Sequence, residues 1–258
     1  MTAEWLERLT GIEASDWALL AAAPFVGSFL GVVIRRLPDG ASIVRGRSRC
    51  EHCQAVLTVR DLIPLASWLA IRGHCRHCGH YIGWFYPGVE LGAVLIAAIS
   101  LLVDRGAPAW LDWVLGCWLL TLGWIDARRW LLPDLLTLPL VLAGLGAVAW
   151  LAPGELTDRG VGAVAGFLGL SAVAWAYRRL RGREGLGGGD TKLFAAAGAW
   201  VGASGLPSVL LGAAVAALIV AGGLVVAGLR LDRHSPIPFG PFLALATWLV
   251  WLFGPLAL

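Results

Sequence analysis

Charged side chains are scarce in this sequence, and their scarcity decides the class of protein. Asp, Glu, Lys and Arg make up 14% of the 258 residues, whereas 58% are hydrophobic and the mean hydropathy is +0.75. A soluble domain carries roughly 25% charged residues. There is also no long run of acids or bases, so nothing indicates a nucleic-acid partner. The composition therefore predicts an all-α, polytopic membrane protein in a lipid bilayer.

Several familiar motifs are missing as well. The sequence contains no glycine-rich nucleotide fingerprint, no Ser/His/Asp arrangement and no internal repeat. Residues 1–17 carry four acids and one arginine, which differs from the basic start of a cleaved signal peptide. We therefore expect the first apolar stretch to be a permanent anchor.

Eight apolar stretches are candidates to cross the membrane, which takes about 20 residues for a helix, or fewer inside protein. They are residues 17–35, 86–103, 110–126, 131–152, 160–177, 191–205, 207–229 and 239–257. The sixth stretch is short and rich in Gly and Ala. Because small residues let neighbouring backbones approach closely, we expect this stretch inside the helix bundle rather than against lipid.

The basic residues predict the orientation of these spans. With eight crossings, 17 of the 20 Lys and Arg residues fall in loops on the side opposite the two termini. The positive-inside rule then places both termini outside and the first loop, residues 37–85, in the cytoplasm. Asp126 and Asp190 both fall at the cytoplasmic face, as expected of residues that act together.

Four of the five cysteines lie in this loop as two Cys-x-x-Cys pairs: Cys50, Cys53, Cys75 and Cys78. Each pair directs two sulfurs at one tetrahedral ion, so the spacing predicts a zinc-ribbon-like, closed structural site. Two disulfides are the alternative, which a reducing cytoplasm disfavours. The four histidines of the loop are interpreted as bystanders, because four thiolates already complete the site.

Two acids stand at the ends of apolar spans: Asp126 ends the third and Asp190 opens the sixth. Ionised residues are costly in a membrane and usually have a function there. The simpler alternatives are an ion pair between Asp126 and Arg129, and a helix cap at Asp190. Asp134, just after Pro133, is interpreted as a carboxylate favoured at a helix start.

Two neighbouring carboxylates do not both ionise cheaply, so one keeps a proton while the other acts as a base, as in aspartic proteases. The helix dipole predicts Asp190, at a helix N-terminus, as the base and Asp126 as the acid. Gly187 and Gly189 are expected in an active-site loop. They form either a flexible linker or a segment that lets a substrate backbone come close to Asp190. Lys192 is an interfacial anchor or an electrostatic partner, and the sequence leaves both open.

Several segments resemble the type IV prepilin peptidases, membrane aspartic proteases with a GxGD motif. The two that carry the acids are GWIDARRWLLPDLLTLPL and GLGGGDTKLFAAAGAW. The others are VGSFLGVVIRRLP, the RSRCEHC and CRHCG knuckles, DLIPLASW, YPGVELGA and IPFGPFLA. The prolines of IPFGPF also predict a rigid re-entrant segment before the last span. The resemblance covers nearly the whole chain in order.

The resemblance implies that Asp126 and Asp190 are catalytic. It implies an enzyme of the bacterial inner membrane that removes a positively charged leader from prepilins or pseudopilins at the cytoplasmic face. The cysteine knuckles are typical of bifunctional members, which then methylate the new N-terminus with S-adenosylmethionine. The family's GSFLNVVI has Gly31 in place of asparagine here, so a peptidase-only enzyme is the alternative. Nothing locates the methyl-donor site, and Glu90 is the buried acid to test.

The predicted division of the chain follows these motifs. Residues 1–36 form the N-terminal segment and first span, residues 37–85 form the four-cysteine loop, and 1–103 together form the methyltransferase part. Residues 104–258 form the protease part. A proton-coupled transporter, in which Asp126 and Asp190 relay protons, is the alternative of another class. Such a transporter is expected to show inverted span repeats, and the sequence shows none. A purely structural or scaffold role is the third class, and it would give neither aspartate a function.

Overall fold

The structure, a computed structural model, describes residues 13–182, 185–228 and 237–256. Within those ranges it contains helices and loops but no strand, apart from two isolated β-bridges. The helices are α1 (Ala14–Arg36), α2 (Ala66–Ala70), α3 (Phe85–Val103), α4 (Ala107–Arg129), α5 (Asp134–Leu151), α6 (Leu156–Arg181), α7 (Gly188–Val226) and α8 (Gly240–Phe253). Two 3₁₀ turns, Val59–Leu62 and Pro153–Glu155, lie in the loops. The predicted all-α fold is confirmed.

Six of these helices, α1 and α3 to α7, are long and apolar enough to cross a membrane. Helix α8 is apolar but shorter, because Gly254 adopts φ +81° and Pro255 follows. The multi-pass membrane architecture is confirmed, while the described residues contain seven apolar helices, six long and one shorter, where eight spans were predicted.

The difference arises in α7, which contains both the sixth and the seventh predicted spans. Its 39 residues would extend about 58 Å if straight, nearly twice the hydrocarbon core. Gly202, at φ +78° and ψ 175°, breaks the helix into limbs 188–201 and 203–226. Pro207, the first residue of the predicted seventh span, is instead the fifth residue of the second limb.

The chain forms two compact units, residues 1–117 and 118–258, and their boundary falls within α4. In unit 1, α1, α3 and the start of α4 enclose a core of small and aromatic side chains. Its buried members include Leu19, Ala23, Ala93, Ala97 and Trp113. Helices α1 and α3 approach closely at Gly27, where a Cβ would lie 2.7 Å from the Cα of Glu90.

In unit 2, glycines bring α6 and α7 into backbone contact. A Cβ at Gly162 would lie 2.6 Å from the Gly198 carbonyl oxygen, and one at Gly166 equally close to that of Phe194. Residues 193–202 of α7 are buried without interruption. The first limb therefore lies inside the helices of its unit, as its Gly/Ala-rich composition predicts.

Candidate active site and metal centre

Asp126 lies in the last turn of α4, where its side chain is 7% exposed. Its Oδ2 accepts a hydrogen bond from the backbone N–H of Gly240 at the start of α8, with an N–O distance of 3.0 Å. A Cβ at position 240 would lie only 2.6 Å from this oxygen. Glycine is therefore required there for the backbone to reach the carboxylate.

Asp190 is the third residue of α7 and is 8% exposed. Its Oδ2 accepts a hydrogen bond from the Gly187 N–H at 3.2 Å, so the residue does act as a helix cap. Its Oδ1 is buried and has no hydrogen-bond partner among the described residues. Gly189 packs against Leu132, whose Cβ would lie 2.8 Å from an added Cβ. One carboxylate oxygen of Asp190 is thus fixed by backbone and the other is available.

The two carboxylates lie close enough to interact electrostatically. Neither carboxylate has a basic partner in the part of the chain that the structure describes, so the predicted alternative of an ion pair between Asp126 and Arg129 is not what is observed. The two aspartates occupy opposite helix ends, as the helix-dipole argument requires. This is an acidic pair held by backbone donors.

Lys192 follows Asp190 by two residues and forms an ion pair with Asp134, the first residue of α5, with an Nζ–Oδ1 distance of 2.5 Å. Both side chains are partly exposed. Of the two readings that the sequence left open, the structure favours the electrostatic partner. The pair joins the start of α5 to the start of the helix that carries Asp190.

The four loop cysteines converge on one point. All four Sγ atoms lie within 4.8 Å of one another, and the Cys50–Cys78 and Cys53–Cys75 sulfurs are 3.9 and 4.0 Å apart. Zinc bonded tetrahedrally to sulfurs at 2.3 Å separates them by about 3.8 Å. All four cysteines are free thiols, so the disulfide alternative is not observed. The cluster fits a metal ion such as zinc.

Two similar backbone turns present these sulfurs. The Cys50 and Cys75 N–H groups each donate to the carbonyl five residues later, at 2.9 and 2.8 Å. The residue after the second cysteine is in the left-handed region in both turns, Gln54 at φ 58° and Gly79 at φ 70°. The N–H of that residue donates back to the carbonyl of the first cysteine. The loop therefore contains two copies of one backbone turn, called knuckles here, and each presents two sulfurs.

The backbone of the first knuckle also prepares its thiol for a cation. Hydrogen bonds from the backbone N–H of Cys53 and, less strongly, of His52 lower the pKa of Cys50 from 9.0 to about 7, although burial opposes them. Metals bind the thiolate rather than the thiol. The Cys50 thiol is therefore more readily ionised near neutral pH than an ordinary thiol.

Asp61 ties the 3₁₀ turn to the second knuckle. Its Oδ2 accepts hydrogen bonds from the N–H and Oγ1 of Thr58 at 3.0 and 2.7 Å, and its Oδ1 lies 2.8 Å from Nε of Arg76. The Thr58 hydroxyl, followed by the Thr58 N–H and the Arg76 charge, lowers the pKa of Asp61, against burial. Arg76 lies between Cys75 and Cys78 in the sequence, so this contact joins the 3₁₀ turn to the four-cysteine cluster.

Two site residues escaped the sequence analysis in their present roles. Gly240 was read only as part of a proline-rich re-entrant segment, yet it donates to Asp126. Leu65, at φ 58°, donates its N–H to Glu90 Oε2 at 2.7 Å. The prolines around Gly240 were a usable signal for a fixed backbone, whereas no pattern marked Leu65.

Two family profiles match adjoining parts of the chain. The Bacterial Peptidase A24 N-terminal domain matches residues 21–103, and the Type IV leader peptidase family matches residues 113–222. No solved structure matches the chain.

Curated relatives are similar to this chain over most of its length. The prepilin leader peptidase/N-methyltransferase of Aeromonas hydrophila is 41% identical, over 89% of this chain and 87% of its own. Proteins of the same name from Burkholderia pseudomallei (strain K96243) and Dichelobacter nodosus are 40% and 38% identical. They match 89% of this chain, and 82% and 88% of their own lengths.

Proposed function

Since the chain belongs to the type IV leader peptidase family, we propose that it removes the leader peptide from prepilins and then methylates the new N-terminus. Asp126 and Asp190 cut the peptide bond. The observation that carries this assignment is the pair itself: two buried, interacting carboxylates held by backbone donors and without a basic partner among the described residues.

The hydrogen bonds assign roles to individual oxygens. The Gly240 N–H only donates, so Asp126 Oδ2 accepts and a proton on this acid belongs on Oδ1. By the same argument, Asp190 Oδ2 is engaged by Gly187 and its Oδ1 is the oxygen that receives a proton. The helix N-terminus favours Asp190 as the ionised partner.

The cleavage then needs no covalent intermediate. Asp190 Oδ1 takes a proton from a water whose oxygen bonds to the peptide carbonyl carbon, while Asp126 gives its proton to the carbonyl oxygen. As the tetrahedral species breaks its C–N bond, the leaving nitrogen takes the proton from Asp190. The hydroxyl proton returns to Asp126, which restores both groups.

Three neighbours shape this site in the proposal. Gly188 has open space where a side chain would stand, which leaves room for a substrate backbone beside Asp190. Gly187 supplies the N–H that orients Asp190, and Gly189 allows Leu132 to approach. Lys192 positions the helix start through Asp134.

We assign methyl transfer to residues 1–103 and peptide cleavage to residues 104–258. The four cysteines would hold a structural zinc ion, because four sulfur ligands leave no position for a reacting water. S-adenosylmethionine is the proposed methyl donor. It supplies a methyl group on a positively charged sulfur.

In the proposed orientation both termini lie outside and both aspartates face the cytoplasm of the bacterial inner membrane. This requires the chain to cross once in each limb of α7. The substrates are then pilin or pseudopilin precursors, whose leaders lie on the cytoplasmic side. Pseudopilins would connect the enzyme to type II secretion, and pilins to the type IV pilus.

The test uses membranes that contain wild type, Asp126→Asn or Asp190→Asn, incubated with a prepilin and S-adenosylmethionine. Mass spectrometry of the product's N-terminus reports cleavage and methylation together. We expect both variants to lose cleavage by about a thousandfold or more, because each removes a proton-transfer group. Asp104→Asn, an exposed acid at the end of α3, is the matched control.

Cleavage at the wild-type rate by either folded variant would overturn the aspartate assignment. The alternative of a proton-coupled transporter would then have to be tested. A cleaved but unmethylated wild-type product would instead identify a peptidase-only enzyme.

A further inference from the structure

Unit 1 contains a cavity of about 440 Å³ that the cleavage reaction does not use. It lies between the end of α1, the four-cysteine loop and the start of α3, and it is lined by residues of all three. Small-molecule sites in proteins have volumes of about 300 to 1,000 Å³. The cavity is therefore of a size that holds a nucleoside joined to an amino acid.

Charge is unevenly placed in this lining. Five arginines line the cavity against three acids. Glu51 is paired with Arg35, and Asp61 with Arg76. The remaining arginines (Arg36, Arg47 and Arg49) give one part of the cavity an excess of positive charge, which suits a carboxylate.

Glu90 is the third acid and differs from the other two. It is 6% exposed and has no basic partner in the described part of the chain. The Leu65 N–H and the Ser28 hydroxyl hydrogen-bond its carboxylate and fix its direction. A buried carboxylate without a cation is costly, so the cavity is suited to a ligand that brings positive charge.

Aromatic rings supply an apolar wall. Trp68 and Tyr86 both line the cavity, and the Trp68 indole is fixed by a hydrogen bond from Nε1 to the Gly83 carbonyl at 2.9 Å. A Cβ at Gly31 would lie 2.8 Å from Cδ1 of Tyr86, so the ring occupies the space of the side chain that Gly31 lacks. Gly31, which stands where the family has asparagine, therefore makes room for the Tyr86 ring in this wall.

The ligand that matches this set has a carboxylate at one end, a positive centre and a flat aromatic group. Ser28, the hydrogen-bond partner of Glu90, and Arg36 are eight residues apart on α1, about 12 Å along the helix. One extended small molecule can therefore reach from Glu90 to Arg36. We propose that this cavity is the methyl-donor site. Its arginines would hold the carboxylate of S-adenosylmethionine, Glu90 would oppose the sulfonium charge, and Trp68 and Tyr86 would contact the adenine.

This assignment rests on the methyl transfer proposed above. In that transfer the lone pair of the new N-terminal amine forms the N–C bond, and the bonding pair of the S–C bond stays on sulfur. The methylated amine releases one proton to water, and the sulfur becomes neutral. Glu90 therefore opposes a positive charge that is present before the reaction and absent after it.

The first experiment measures binding rather than activity. Calorimetry on the purified full-length protein compares S-adenosylmethionine with S-adenosylhomocysteine, which lacks the sulfonium charge. We expect wild type to prefer S-adenosylmethionine, and Glu90→Gln to weaken its binding by about tenfold or more while changing that of S-adenosylhomocysteine much less. Asp104→Asn, at the far end of α3, controls for a general loss of charge and keeps the preference.

The second experiment needs no variant, so it holds even if Glu90→Gln fails to fold. The wild-type protein is irradiated with 8-azido-S-adenosylmethionine, and the labelled peptides are identified by mass spectrometry. Labelling in residues 66–90 that unlabelled donor abolishes supports the site. Displaceable labelling confined to residues 118–258 overturns it.

The outcomes separate this inference from the function on which it rests. A wild type that methylates and binds the donor, with Glu90→Gln binding it equally well, rejects the cavity but keeps the methyltransferase. A wild type that neither methylates nor binds the donor rejects both, while cleavage by Asp126 and Asp190 is unaffected.

Discussion

Both units bury carboxylates, but they hold them with different groups. In unit 1, Asp61 accepts a side-chain hydroxyl and faces the guanidinium of Arg76. In unit 2, Asp126 and Asp190 receive backbone N–H donors only. A cationic partner fixes a carboxylate in its ionised form, whereas a single amide leaves it free to exchange a proton. Asp61 is therefore held in its ionised form, whereas Asp126 and Asp190 are suited to the proton transfer that we propose for them.

Glu90 of unit 1 is held differently from Asp61. It accepts a backbone N–H and a hydroxyl and has no basic partner among the described residues. In that respect it resembles the aspartates of unit 2 more than Asp61. The inference that Glu90 meets a ligand follows from this similarity.

The largest expected effect tests whether the two sites are independent. Chelating the metal should abolish methyl transfer while cleavage falls by less than about threefold. The reason is that a structural zinc supplies about 10 to 16 kcal/mol of folding free energy to its own loop, whereas both aspartates are anchored within unit 2. Both activities are measured on one prepilin sample, and adding zinc back is the control. If chelation abolished cleavage together with methyl transfer, the two sites would not be independent.

The next prediction concerns the backbone donor of unit 2. Gly240→Ala places a Cβ 2.6 Å from Asp126 Oδ2 and should displace the carboxylate. A displacement of about 1 Å lowers the rate by about a hundredfold. The kcat for cleavage is the readout. Gly222→Ala, at a helical glycine with open space around it, is the matched control and should cleave normally. Normal cleavage by Gly240→Ala would mean that this donor is dispensable.

A smaller effect is expected for the structural acid of unit 1. Asp61→Asn should lower stability by about 1 to 2 kcal/mol, near the value of a hydrogen bond to a charged group. Because folding lowers the pKa of Asp61, its contribution is complete above the unfolded value of about 3.9 and disappears as pH falls through the lower folded value.

The measurement is the difference in melting temperature between wild type and Asp61→Asn from pH 7 to pH 3. It should stay constant to about pH 5 and then shrink. Thr58→Val removes the hydroxyl that lowers the pKa of Asp61 most. When Asp61→Asn is made in the Thr58→Val protein, it should therefore lower the melting temperature by less than it does in wild type. A difference that grows in acid would contradict the assignment.

The smallest effect is expected for Lys192 and Asp134. Both are partly exposed, and such pairs contribute about 0.2 to 1 kcal/mol. Lys192→Met and Asp134→Asn should each slow cleavage only severalfold, and the double variant should be no slower than either, since one contact is lost in all three. A loss of a hundredfold or more in Lys192→Met alone would show that Lys192 takes part in the chemistry.

Most of the architecture could be read from the sequence because it depends on local patterns. Apolar length marks the spans, Cys-x-x-Cys spacing marks the metal site, and a lone acid beside an apolar run marks Asp126 and Asp190. The break in α7 was predicted between residues 205 and 207, whereas the backbone turns at Gly202. A glycine within a Gly/Ala-rich apolar stretch does not stand out from its neighbours, so its positive φ could not be predicted.

The contacts that complete each site were also beyond prediction. Gly240 meets Asp126 across 114 residues of chain, and Leu65 meets Glu90 across 25. Both contacts use backbone N–H groups, which every residue except proline carries, so no residue type in the sequence indicates them. A candidate side chain can therefore be predicted from its residue type, whereas the backbone N–H that orients it cannot.

The two turns also differ in one position, and the difference is one of backbone strain. Gly79 takes its left-handed backbone without penalty, whereas Gln54 in the matching position costs roughly 1 kcal/mol. The turn that holds Cys75 and Cys78 is therefore the less strained of the two. We expect it to keep its shape more readily than the turn of Cys50 and Cys53 when no ion is bound.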